Sequence, residues 1–203
     1  MARHSYRYRR FVPVALVVVI IIVAVIILAS LLRVLLFPAK PNADQQKVDT
    51  TQQALLNTNA DRSVRLVVRG PIVADENFRS YRITISPSAR TIQTFRGYLE
   101  TQIEQKSLSN NVRAYEEFVH ALNLANMAKG TQFEGDRNDV RGICATGRVS
   151  EFSLLQNDNP VEMLWTSTCN GSPGSLRANA DQLRALFVGQ IPDAATIIRN
   201  ASL

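Results

Sequence analysis

The sequence predicts an α+β fold, in which a single N-terminal transmembrane helix precedes an antiparallel sheet domain with helices packed on one face. Three observations lead to this prediction: a long uncharged apolar run near the N-terminus, segments in which apolar and polar residues alternate, and segments with apolar residues at helical spacing. The predicted element order of the domain is β-β-α-α-β-β-α. Strands that follow one another in hairpins, with helices grouped between them, favour an antiparallel sheet.

The N-terminal apolar run covers residues 11–32, FVPVALVVVIIIVAVIILASLL, and contains no charged residue. As a helix it would be about 33 Å long, which matches a hydrocarbon core of about 30 Å. Together with the apolar residues after it, the predicted membrane anchor is residues 11–37. The run is longer than the apolar core of a cleaved signal peptide and lacks a small-x-small cleavage site at its end. We therefore expect an uncleaved, single-pass signal anchor that holds the protein in the lipid bilayer.

The positive charge of the chain lies mostly beside this anchor. The net charge is +6 over 203 residues, and the first 33 residues contribute five arginines and no acidic residue. By the positive-inside rule, the basic tail of residues 1–10 stays in the cytoplasm and the later residues are exported. The topology-determining residues are Arg3, Arg7, Arg9 and Arg10. The expected localisation is the cell membrane, and a nucleic-acid partner is not expected because the exported part carries a net charge of only +1.

The exported part divides into a polar tether and a domain. Residues 38–61 are rich in Gln, Asn, Thr and Asp, which is typical of a solvated linker. The domain covers residues 62–203 and begins with alternating segments around 64–68 and 81–85, both predicted as strands. Four apolar residues then follow helical spacing and predict a first helix, although a glycine interrupts them: Ile92, Phe95, Leu99 and Ile103.

The second half of the domain is predicted to contain two helices with a hairpin between them. A second helix is predicted after Asn110-Asn111, which offers an N-cap, and a third from about Asn179, with Gly189 ending it and a last turn after Pro192. Between them, residues 143–155 and 161–169 predict a hairpin around a loop at 156–160. The predicted register places Cys144 opposite Cys169.

These two cysteines are the only ones in the chain. In an exported domain two cysteines usually form a disulfide, and the predicted register brings them to neighbouring strands. We therefore expect a Cys144–Cys169 disulfide. A bond across 25 residues would stabilise the fold by about 3 kcal/mol.

Residues 166–169, TSTC, suggest an alternative, because they close a predicted strand on a cysteine. The segment resembles the Thr-Leu-x-Thr-Cys signature of sortases, which are membrane-anchored transpeptidases with a closed β-barrel fold. The resemblance implies a cysteine transpeptidase or hydrolase that uses Cys169, with His120 and Arg177 as the other active residues. Trp165 and Thr166 stand where that signature has Thr-Leu.

Arginines also recur on the first two predicted strands. Arg65, Arg69 and Arg82 are expected on one outward face, where they would form a basic patch for an anionic envelope polymer or lipid headgroup, or a solvated edge. No phosphate loop, paired-carboxylate motif or metal-ligand spacing is apparent in the sequence. We therefore expect a binding or scaffolding module with a protein or envelope-polymer partner outside the cytoplasm, no cofactor and no catalytic activity.

Overall fold

The computed structural model describes residues 21–28 and 50–203. Residues 21–28 are helical and belong to the predicted anchor. Three predicted regions lie outside the described residues: the rest of that anchor, the basic tail with its four arginines, and the tether up to residue 49. Within the described ranges, no helix combines the length and apolar character needed to cross a membrane. The domain is described below by itself.

The domain is α+β, with one six-stranded antiparallel sheet and three main helices. The strands, in chain order, are β1 Arg62–Arg69, β2 Arg79–Ile85, β3 Ala89–Arg96, β4 Thr101–Ser109, β5 Val149–Gln156 and β6 Asn159–Ser167. The helices are α1 Val112–Leu124, α2 Ala180–Val188 and α3 Ala194–Asn200. The spatial order of the strands is β4-β3-β2-β1-β5-β6, so the sheet is open, with β4 and β6 at its edges.

Two of the sequence-based predictions are wrong, and the first concerns the helix proposed over Ile92 to Ile103. This segment forms the β3–β4 hairpin, which turns at residues 97–100. Ile92 is fully buried, whereas Leu99 is 92% exposed in the turn. The domain therefore has the order β-β-β-β-α-β-β-α-α.

The second wrong prediction is the register of the last hairpin. The two strands meet at a two-residue turn, Asn157-Asp158, in which both residues have positive φ, and Gln156 pairs with Asn159. Short polar Asn and Asp side chains tolerate this left-handed conformation better than other residues. The strands are two residues out of the predicted register beside the turn and three residues out beyond the register shift at Leu154-Leu155. The two cysteines lie beyond the strand ends.

The helices start where the sequence predicts. Asn111 caps α1 by accepting a hydrogen bond from the backbone N–H of Ala114, and Asn179 caps α2 by accepting from two backbone N–H groups. Gly189 ends α2, as expected. The aromatic rings of Phe118 in α1 and Phe187 in α2 meet edge to face, with centroids 5.3 Å apart.

The main core lies between these helices and one face of the sheet, here called the helix face. Its strand residues include Leu66, Ile83, Ile92, Phe152 and Leu164, all 2% exposed or less. Residues 50–55, within the predicted tether, form a short helix, and Leu55 is buried in the same core. The opposite face is called the charged face, because Arg65, Arg69 and Arg82 lie on it.

Candidate functional site

The predicted disulfide is present, but its position differs from the predicted one. Cys144 and Cys169 are bonded, with their Cα atoms 5.5 Å apart. They belong to the loops before β5 and after β6, beyond the paired strand residues. Cys144 is buried in a second apolar cluster with Val140, Val149 and Trp165. The disulfide therefore fastens the 139–148 loop against the charged face.

The residues implied by the sortase resemblance are not assembled as a thiol site in this structure. Cys169 is bonded to Cys144, so its sulfur is not a free thiol. His120 is exposed on α1, and Arg177 is exposed in the loop before α2, where it donates to the carbonyl of Gly174. The open sheet also differs from the closed barrel that the resemblance implied.

The three arginines of the expected basic patch share the charged face, but acidic residues accompany them. Arg69 Nε donates to Glu151 Oε1 at 2.7 Å, and Arg69 also pairs with Glu100 at 3.4 Å. Arg82 pairs with Glu100 at 2.6 Å. Burial, and next the nearby charge of Arg82, lower the pKa of Arg65, whose Nε donates to Thr84. This face therefore carries an ion-pair network whose positive charge is largely balanced.

The two acidic members of this network, Glu100 and Glu151, were not predicted from the sequence. Glu151 occupies an alternating position on β5 that faces the same side as Val67, so the strand pattern contained a usable signal. Glu100 lies in the β3–β4 turn with a positive φ of 54°. Its position depends on the β3–β4 hairpin, and the sequence pattern of that segment predicted a helix.

An apolar cleft of about 330 Å³ opens beside this network, at the end of the sheet where β1 ends and β5 begins. Segment 70–78 and Tyr98 form one wall, residues 140–144 form the other, and Val149 lies between them. Two exposed apolar side chains line the opening, Ile72 (46% exposed) and Tyr98 (48%). Their chain neighbours Val73 (40%) and Leu99 (92%) are also exposed.

Specific contacts hold the walls of the apolar cleft in place. The Tyr98 hydroxyl donates to the carbonyl of Val73 at 2.7 Å and accepts from its N–H at 3.1 Å. The ring of Tyr98 stacks on Phe78 at 4.2 Å between centroids. Across the cleft, the N–H of Ile72 donates to the carbonyl of Ala145 at 2.8 Å, and the disulfide anchors the second wall. The cleft is therefore preformed.

The charged groups at the apolar cleft are already paired. Arg69 is held by the two glutamates, and Arg141 donates several hydrogen bonds to Asp139. The hydrogen bonds from Arg141 lower the pKa of Asp139 to about 2. The space between the walls therefore offers apolar contact to a ligand and little uncompensated charge.

Over the described residues, no group of three or more His, Cys, Asp or Glu side chains is placed to hold a metal ion. No model of a known protein family matches the chain, and the comparison with curated proteins gives no match.

Proposed function

We propose that this chain is a single-pass membrane-anchored protein whose exported α+β domain is a protein-binding module. The observation that carries the proposal is the apolar cleft, because its walls are preformed and the apolar side chains of Ile72 and Tyr98 in its lining are exposed. Clefts of about 300–1,000 Å³ with mostly apolar walls are the usual form of a binding site. The anchor at residues 11–37, and the export indicated by Arg3, Arg7, Arg9 and Arg10, remain part of the proposal.

The proposed occupant is an extended segment of a partner protein. Tyr98 of the cleft wall precedes the start of edge strand β4 by three residues in the chain. The two edges of the sheet differ: on β6, the N–H of Met163 donates to Gln132 and the N–H of Trp165 donates to Ser175. On β4, the outer backbone groups of residues 101–108 pair with no residue in the described part of the chain.

An extended segment would satisfy both features at once. One part of its backbone would pair with β4, as in other cases of strand addition, and an apolar side chain beyond the paired part would fill the cleft. Because Arg69 and Arg141 are already paired with carboxylates, the anchoring part of the segment should be apolar and uncharged. A strongly acidic or basic segment would have to disrupt these pairs.

Selection of random peptides by the full chain in detergent micelles tests this proposal. We expect enrichment of extended peptides with an apolar anchor, and an Ile143→Asp variant in the cleft wall should weaken their binding at least tenfold, or about 1.4 kcal/mol. Val161→Asp is the matched control, because Val161 is 47% exposed at the far end of β6. It should leave binding unchanged.

Two results would overturn this proposal. The first is a selection that enriches no peptides, or enriches peptides that bind both variants equally well. The second is a dimer of the full chain in sedimentation that Ile143→Asp dissociates, since the occupant would then be a second copy of this chain.

A further inference from the structure

A second cavity, of about 230 Å³, lies on the other side of the sheet, between the helix face and helices α2 and α3. Three arginines from three different elements line it: Arg148 precedes β5, Arg184 belongs to α2 and Arg199 belongs to α3. This space is called the arginine cavity. The rest of its lining is apolar apart from Tyr81, and no carboxylate side chain belongs to the lining.

Only one of the three cavity arginines forms an ion pair with an acidic side chain in the described residues. Arg184 pairs with Asp181, which is a residue of the outer surface, with its side chain 82% exposed. Arg199 donates to the hydroxyl of Thr196. Neither Arg148 nor Arg199 forms an ion pair with any residue in the described ranges. The cavity therefore concentrates positive charge at one place in a domain whose net charge is close to zero.

Tyr81 adds a hydroxyl group to the three guanidinium groups of the arginine cavity. It is 4% exposed and lines the arginine cavity, and its hydroxyl forms no hydrogen bond with any residue that the structure describes. The hydroxyl is therefore available to donate a hydrogen bond to a group bound in the cavity. Burial raises the pKa of Tyr81 to about 12, against the opposing charges of Arg184 and Arg148, so the hydroxyl is a proton donor at neutral pH.

We propose that the arginine cavity binds a phosphate group. A phosphate offers several charged oxygens in different directions, which suits three guanidinium groups and a hydroxyl better than the two oxygens of a carboxylate do. The apolar lining from Val188 and Ile198 would contact a short organic part of a phosphate ester. The site lies on the opposite face of the sheet from the apolar cleft and does not depend on it.

Calorimetric titration of the full chain in dodecyl maltoside micelles, which contain no phosphate, tests the proposal. The probes are inorganic phosphate, glycerol 3-phosphate, and micelles doped with phosphatidic acid or, as their phosphate-free control, with diacylglycerol. We expect saturable binding of one equivalent of at least one phosphate probe, with chloride at equal ionic strength giving none. Binding of glycerol 3-phosphate would identify a water-soluble source, and binding of phosphatidic acid alone would identify a lipid headgroup.

Variants locate the bound phosphate. Arg148→Gln and Arg199→Gln should each weaken binding at least tenfold, and Tyr81→Phe should weaken it severalfold by removing one donor. Arg113→Gln removes the same charge from α1, where Arg113 is 80% exposed, and should leave binding unchanged. Circular dichroism verifies that each variant is folded, and a variant that does not fold is replaced by Arg184→Gln.

Three results would overturn the proposal: no phosphate probe binds, binding does not saturate, or Arg113→Gln weakens binding as much as the cavity variants do. The proposal for the apolar cleft is tested independently of this one. Peptides that bind the cleft should bind the Arg199→Gln variant and the unaltered chain equally well.

Discussion

Arg69 and Glu151 are diagonal neighbours on the charged face, where Arg69 Nε lies 2.7 Å from Glu151 Oε1 across the β1–β5 pair. The side chain of Glu151 is 10% exposed, and the side chain of Arg69 is 32% exposed. Glu100 joins this pair to Arg82. The network therefore links the β3–β4 turn to the centre of the sheet and forms one border of the apolar cleft.

Glu151→Gln should destabilise the domain. The change leaves the half-buried Arg69 with only the longer contact to Glu100, and losing one partner of such a pair costs roughly 1–3 kcal/mol. Urea denaturation measures the loss. Glu117→Gln is the control, because its pair with Arg113 is well exposed and should contribute less than about 0.5 kcal/mol. Equal losses in the two variants would contradict a structural role for the network.

Gly97→Ala should be more costly than Gly135→Ala. Both glycines have positive φ, which costs an alanine about 1 kcal/mol. A Cβ at Gly97 would also lie 2.8 Å from an oxygen of Asp75, whereas a Cβ at Gly135 would meet nothing within 4 Å. Asp75 accepts a hydrogen bond from the N–H of Tyr98, so its displacement would also disturb the cleft wall. We expect a difference of roughly 1 kcal/mol in thermal or urea unfolding. Equal losses of stability in the two alanine variants would mean that the contact with Asp75 does not contribute to the cost.

The β3–β4 hairpin shows why part of the fold escaped prediction from the sequence. Four residues of this hairpin have helical spacing but lie in different places. Ile92 is on the helix face and Phe95 on the charged face, whereas Leu99 is in the turn and Ile103 lies beside a register shift. β4 is an edge strand with few buried residues, so its apolar pattern is weak. Its conformation is determined by pairing with β3, which depends on residues distant in sequence. The local pattern could not show that pairing.

The cysteines show the opposite case, in which a correct prediction rested partly on a wrong argument. Composition and the expected compartment indicated the disulfide, and the structure contains it. The supporting register was wrong, because Asn157-Asp158 forms a two-residue turn in place of the longer loop expected there. Those adjacent Asn and Asp residues were a readable turn signal. The N-caps Asn111 and Asn179, by contrast, follow from local sequence and were predicted correctly.

Leu122→Ala should destabilise the domain by about 2–5 kcal/mol, because Leu122 is fully buried in the main core and the change leaves a cavity. Leu124→Ala is a matched control on the same helix, since Leu124 is 70% exposed and should cost less than about 0.5 kcal/mol. Urea unfolding of both variants measures the two costs. Similar costs would mean that α1 is rotated relative to the sheet.

Stability should fall in alkaline solution, in part because of Tyr81. Burial raises its pKa from 10 to about 12, so the unfolded chain releases the proton at lower pH than the folded one. Between pH 10 and 12 the folded state binds more protons, and the free energy of unfolding decreases as pH rises, by about 1 kcal/mol at pH 11. Burial also raises the pKa of Tyr115, which adds to the effect.

The comparison of wild type with Tyr81→Phe isolates this contribution. The variant lacks the titrating group, so its unfolding free energy should fall about 1 kcal/mol less than that of the wild type between pH 9 and pH 11. Urea midpoints at both pH values provide the measurement. Parallel losses in the two proteins would mean that Tyr81 titrates alike in the folded and unfolded chains.

Removal of the disulfide separates the binding-module proposal from the cysteine-enzyme alternative. The Cys144→Ser/Cys169→Ser variant should lose about 3 kcal/mol of stability, because the bond closes a loop with a sequence separation of 25. Its peptide binding should also weaken, since Cys144 lies in the cleft wall. Maleimide labelling of the full chain should modify both cysteines only after reduction. Rapid labelling of Cys169 without reductant would instead show a free thiolate, which a cysteine transpeptidase requires. It would also show that no disulfide holds the cleft wall in place.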